Sequence, residues 1–158
     1  MPETLRRLEA AFEQVARTSM AGLAFVNPRL RVEAVGFREW RGERLGVLVT
    51  PWSINLVLLP GAGEWPPLAH GAQRFVDLPA GTFRFIAGAV EGFGDYHACS
   101  LFSPALEFAD QAAARATAAA AIAALLDPAT PLPDAPRPGL SRRDFLRGGR
   151  AQASPHAD

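Results

Sequence analysis

Phe93 to Phe102 reads as a strand whose alternation puts Asp95, His97 and Cys99 on one face and Tyr96, Ala98, Ser100 and Phe102 on the other. An acid, an imidazole and a thiol are the residue types of a thiol nucleophile with its base. Their spacing argues against that chemistry. Side chains two apart on a strand start about 6.8 Å from each other, whereas a nucleophile and its base must meet at about 2.6–3.2 Å. The strand is expected to carry a small buried thiol, with His97 hydrogen-bonded at the sheet surface. His70, His97, His156 and the single cysteine show no ligand spacing of the usual kinds, so no metal site and no cofactor is expected from this chain alone. All sixteen basic side chains are arginine. The absence of lysine excludes a Walker A loop, a Schiff-base lysine and a lysine general base.

A second chemistry sits near the end of the chain. Ser141-Arg142-Arg143-Asp144-Phe145-Leu146-Arg147 has the order of a twin-arginine export motif: a hydroxyl residue, two arginines, a variable residue, Phe-Leu and a basic residue. In an export signal the motif precedes an apolar segment. Here Gly148, Gly149, Arg150 and polar residues follow, so it is not expected to act as an address. Residues 137–150 carry five arginines against Asp144, while the rest of the chain has eleven arginines against fifteen acids. A basic tail beside a weakly acidic domain suggests an internal mimic of a signal peptide. Its arginines would pair with Glu91, Asp95, Glu107 or Asp110, and Phe145 and Leu146 would enter an apolar site. A solvated tail with a chance match, or a tail that docks onto a partner, are the alternatives.

The elements that must position these groups follow from pattern. Leu45 to Pro60 forms two apolar, β-branched runs around Pro51-Trp52-Ser53, which predicts a central hairpin turning at the proline. Leu5, Leu8, Phe12 and Val15 recur at helical spacing behind Thr4 as N-cap. A first strand is expected over Arg31 to Phe37, with a turn at Arg41-Gly42. Gln73 to Leu78 and Thr82 to Ala87 read as strands joined by a three-residue turn, Pro79-Ala80-Gly81. Ser103-Pro104 would open a final alanine-rich helix, with Phe108, Ala112, Ala119, Ile122 and Leu126 on its buried stripe. The breaker-rich segment around Trp65 reads as a loop, which makes Trp52 and Trp65 exposed-aromatic candidates for a contact surface, joined by Tyr96.

These patterns predict an α+β domain over residues 1–128, a mainly antiparallel sheet of five or six strands with N- and C-terminal helices packed on it. A proline-rich linker and disordered basic tail follow over 129–158. One cysteine, no secretory segment and no stretch near 20 apolar residues predict a cytoplasmic protein without membrane insertion. The neutral total charge argues against nucleic acid.

Six stretches carry a family resemblance: Asn27-Pro28, Val35-Gly36-Phe37, Val49-Thr50-Pro51-Trp52, Leu56-Val57-Leu58-Leu59-Pro60-Gly61, Leu78-Pro79-Ala80-Gly81-Thr82, and Cys99-Ser100-Leu101-Phe102-Ser103-Pro104. They resemble the NiFe-hydrogenase assembly chaperones of the HybE/HupJ type. The resemblance implies a non-enzymatic chaperone that binds the small-subunit precursor through its twin-arginine signal, binds the large-subunit precursor, and delays export until metal centres are inserted. A thiol-based redox or metal-carrier protein using Cys99 and His97 is the alternative.

Overall fold

The structure, a computed structural model, describes residues 2–127. Helix α1 (Pro2–Arg17) precedes β1 (Glu33–Trp40), β2 (Glu43–Val49), β3 (Ile54–Pro60), β4 (Gln73–Leu78), β5 (Gly81–Val90) and β6 (Gly94–Phe102), and α2 (Gln111–Leu126) closes the order. The six strands form one antiparallel sheet in the order β1-β2-β3-β6-β5-β4. The linker and the twin-arginine-like tail, with Ser141, Arg142, Arg143, Phe145 and Leu146, lie outside the described residues.

The predicted hairpin is the centre of the sheet. β2 and β3 pair from Glu43–Pro60 to Val49–Ile54, and both strands are almost wholly buried because each face is covered by a helix. Leu45, Val47, Ile54, Leu56, Leu58, Phe83, Phe85 and Cys99 pack under α2. Leu48, Val57 and Leu59 pack with Leu8 of α1 on the other face. The sheet is strongly curled. Glu43 on β2 and Arg74 on β4 stand four strand positions apart, about 19 Å on a flat sheet, farther than the two side chains reach. Yet they bond at 2.7 Å, so the α2 face must be concave.

Two glycine positions make this geometry possible. At the β1–β2 turn, Arg41 (φ 51°) and Gly42 (φ 82°) both take left-handed conformations, as a tight two-residue hairpin requires. Gly36 (φ 69°) sits in a bulge of β1 between Val35 and Arg38, where an added Cβ would lie 2.8 Å from Ile122 Cγ2. The bulge and the missing side chain together let α2 close onto the sheet.

Several local expectations are corrected. The first helix begins at Pro2, so Thr4 lies inside it, and its hydroxyl accepts a bond from Arg44 instead of capping. β1 starts and ends later than Arg31 to Phe37, because the bulge extends it to Trp40. Gly81 pairs with Leu78, which leaves only Pro79-Ala80 as the loop. A register shift between Ile54 and Asn55 opposite β6 turns Phe102 to the same core as Cys99, not the opposite face. The last helix starts at Gln111, not at Ser103-Pro104. Asp110 is its N-cap, accepting the Ala113 N–H at 2.8 Å, and the carbonyls of Ala105 and Phe108 are held outside the helical ladder by Asn27. Its buried stripe is therefore Gln111, Ala114, Ala118, Ala121, Ile122, Ala124 and Leu125, while Ala112 and Ala119 face solvent.

Candidate functional site

The acid, imidazole and thiol of β6 go three separate ways. Cys99 is buried in the core under α2, and burial pushes its thiol up to about 12, with Arg84 pulling weakly in the other direction. The reactive thiolate is therefore scarce at neutral pH. Alkylation of Cys99 is expected to be slow in the native protein and fast in denaturant, and rapid native alkylation would restore the thiol reading. Asp95 is exposed and faces His70 at 3.7 Å.

His97 is a structural group at the end of the curled sheet. Its Nδ1 lies 3.0 Å from Arg74 Nη1, and the same guanidinium forks onto Glu43 at 3.0 and 2.7 Å. Arginine can only donate, so Nδ1 accepts and the ring is neutral. Burial, then the Arg74 charge, holds the imidazole below its ordinary value, against weaker opposite pulls from Glu43 and Asp95. Trp65 stacks on the His97 ring with centroids 4.1 Å apart. This corrects the expectation that Trp65 stands exposed. It is a half-buried plug over the network, packed against the core. Among the described residues no group of three His, Cys, Asp or Glu side chains could hold a metal ion.

The opposite end of the sheet is built differently. Asn27 is 2% exposed and ties three segments together. Its N–H donates to Pro51 O at 2.7 Å, and its amide donates to Ala105 O at 3.0 Å and Phe108 O at 2.9 Å. Its Oδ1 accepts the Arg29 N–H at 3.0 Å. The Pro51 turn is stiff in its own right, with the Thr50 N–H and hydroxyl both donating to Ser53 O at 2.8 Å. This scaffold presents apolar side chains to solvent. Phe25 is 43% and Leu106 44% exposed, each one or two residues from a group in the Asn27 network, whereas Trp52 beside Pro51 is half-buried and, like Trp65, does not stand exposed as expected. Three of the stretches that carry the family resemblance, around Asn27, Pro51 and Ser103, meet at this rim.

The candidate contact residues are thus divided. Trp52 and Glu107 lie at the Asn27 rim, and Asp110 lies near them but serves as the N-cap of α2. Glu91 and Asp95 sit at the other end of β6, a nine-residue strand about 26 Å long, so the four acids do not form one cluster. Tyr96 is half-buried, its ring edge-on to Phe12 with centroids 5.5 Å apart, and burial raises its phenol. Sequence reasoning missed Phe25 and Leu106. Leu106 was hidden by assigning it to a helix, and Phe25 becomes informative only through its position two residues before Asn27-Pro28.

Comparison with known proteins agrees with this architecture. A family model described as NiFe-hydrogenase assembly, chaperone, HybE matches residues 3–148. The hydrogenase expression/formation protein HupJ of Bradyrhizobium diazoefficiens is 40% identical over 146 residues, covering 89% of this chain and 85% of that protein. Protein HoxT of Cupriavidus necator is 41% identical, over 94% of this chain and 90% of its own length. The solution structure of HybE from Escherichia coli superposes with a TM-score of 0.63 at 30% identity, covering 86% of this chain and 85% of that one. With a match spanning most of its length, the chain belongs to the HybE family of NiFe-hydrogenase assembly chaperones.

Proposed function

We propose that the chain acts in the cytoplasm as a binding protein for NiFe-hydrogenase subunit precursors, taking the twin-arginine signal of the small subunit at the Asn27 rim and delaying export. The observation that carries this reading is the rim itself. A rigid, hydrogen-bonded scaffold holds exposed Phe25 and Leu106 and half-buried Trp52 on the segments that meet at Asn27, one of which also carries Glu107. An arginine pair followed by an apolar segment has the complementary chemistry: guanidinium to carboxylate, apolar run to aromatic and leucine side chains. Buried Cys99 and the neutral His97, its Nδ1 held by Arg74 and its ring stacked under Trp65, fit binding better than turnover. No helix among the described residues is long and apolar enough to cross a membrane.

On this reading the Ser141-to-Arg147 motif competes for the same rim, which keeps affinity modest until a true signal arrives. The test is titration of a synthetic twin-arginine signal peptide against the full chain, a chain ending at Pro136, and Trp52→Ala. Loss of Trp52 is expected to weaken binding about tenfold, roughly 1.4 kcal/mol. Truncation is expected to tighten it. Equal affinity of Trp52→Ala and the parent chain would remove the rim from the binding site, and equal affinity of the truncated chain would reject competition by the tail.

A further inference from the structure

Ser100 lies on β6, an interior strand of the six, and is nevertheless exposed. A side chain in the middle of a sheet meets solvent only where no layer covers that face. On the face opposite α2, helix α1 covers Leu48, Val57, Leu59 and Tyr96, and its Glu9 and Glu13 carboxylates accept the N–H groups of Ala34 in edge strand β1 and of Val32 just before it. The neighbouring quadrant has no described cover. Register places its residues in one row: Asn55 opposite Ser100 on β3 and β6, and Arg84 opposite Phe75 on β5 and β4. Arg84 and Ser100 each lie two residues beyond the Ile86–Ala98 pair that joins the two halves.

The polar atoms of this row are incomplete. Nε of Arg84 and Oδ1 of Asn55 are buried without a hydrogen-bond partner among the described residues. None of the ion pairs among those residues includes Arg84. A desolvated guanidinium donor without an acceptor is costly, and here it is flanked by half-buried Ile86 and by Phe75, 49% exposed. The complement of such a surface is a carboxylate set among apolar groups, with a backbone N–H to meet Asn55. An arginine signal has the wrong charge for it.

We propose that this quadrant binds a carboxylate-bearing apolar segment from the mature part of a hydrogenase precursor, with Arg84 forking onto the carboxylate and Ser100 and Asn55 making the flanking polar contacts. The proposal rests on the reading that the chain holds such precursors, but it concerns a surface and a charge distinct from the signal-binding rim. The test uses the full chain, Arg84→Gln and Ser100→Trp, each titrated with a precursor lacking its signal and, separately, with the isolated signal peptide. Both variants are expected to lose at least tenfold affinity for the signal-less precursor and none for the peptide, with Arg84→Lys recovering part of the loss.

Unchanged affinity of Arg84→Gln and Ser100→Trp for that precursor overturns the proposal. A parent chain that binds the peptide but not the signal-less precursor also overturns it, while leaving the rim reading intact. Binding of neither overturns both. If Arg84→Gln instead shifts the amide resonances of residues 129–158 in the free protein without affecting precursor binding, the occupant is the chain's own tail and the proposal fails.

Discussion

Replacing Arg74 with alanine is expected to lower unfolding free energy by about 3–5 kcal/mol, because it strands the Glu43 carboxylate without its counter-ion. The Glu43 side chain is 6% exposed and that of Arg74 20%, so water replaces little of what is lost. The same change leaves His97 Nδ1 without its donor and Trp65 stacked over an unsupported ring. Removing both charges with apolar groups of similar volume, Glu43→Leu with Arg74→Met, should cost less than the single change. No buried charge is then left, and the remaining deficit is the unpaired imidazole nitrogen, about 1–3 kcal/mol. Urea unfolding of the three proteins decides it. A single variant no less stable than the double would mean that this pair does not hold the curled sheet closed.

That network shows why some of the architecture could be read from sequence and some could not. The central hairpin was legible because Pro51 and two β-branched runs are local signals, and the structure places the turn at Pro51 to Ser53. The β4–β5 hairpin was legible for the same reason, apart from one residue of loop length. The curl was not legible. It depends on Glu43, Arg74 and His97, from three strands, meeting at one end of the sheet, and no window of sequence contains that information. The start of α2 was misplaced because Ser103-Pro104 has the local form of a helix start. Asn27, 78 residues away, takes the Ala105 carbonyl out of helical bonding, and Asp110 supplies the cap. The site followed the same division. On the proposed reading, Trp52 is picked out by its local turn, whereas Phe25 and Leu106 join it only through long-range hydrogen bonds of Asn27.

Asn27 should therefore be the residue on which stability and binding both depend. Asn27→Ala removes two donors from the carbonyls of Ala105 and Phe108, residues 0% and 1% exposed, and the acceptor from the Arg29 N–H. With each buried carbonyl left unsatisfied at about 1–3 kcal/mol, the loss should reach about 3–5 kcal/mol. Asn27→Asp is the sharper probe, since it keeps the shape and the acceptor but sets a carboxylate against two carbonyl oxygens. Burial and those oxygens should raise its folded pKa above the unfolded value of about 3.9. The folded state then binds the proton more tightly, so the Asn27→Asp deficit is smallest below that unfolded value and grows as pH rises through the folded pKa. Urea unfolding between pH 4 and 7, with each variant compared with the parent at the same pH, reads this slope. Signal-peptide affinity should fall in parallel at pH 7 although Trp52 is untouched, because the segment carrying Leu106 loses its side-chain tie to Asn27, while the Asn27 backbone N–H still holds the Phe25 segment to Pro51 O. Parent-like stability of Asn27→Asp at pH 7 would show that the amide does not hold the rim together.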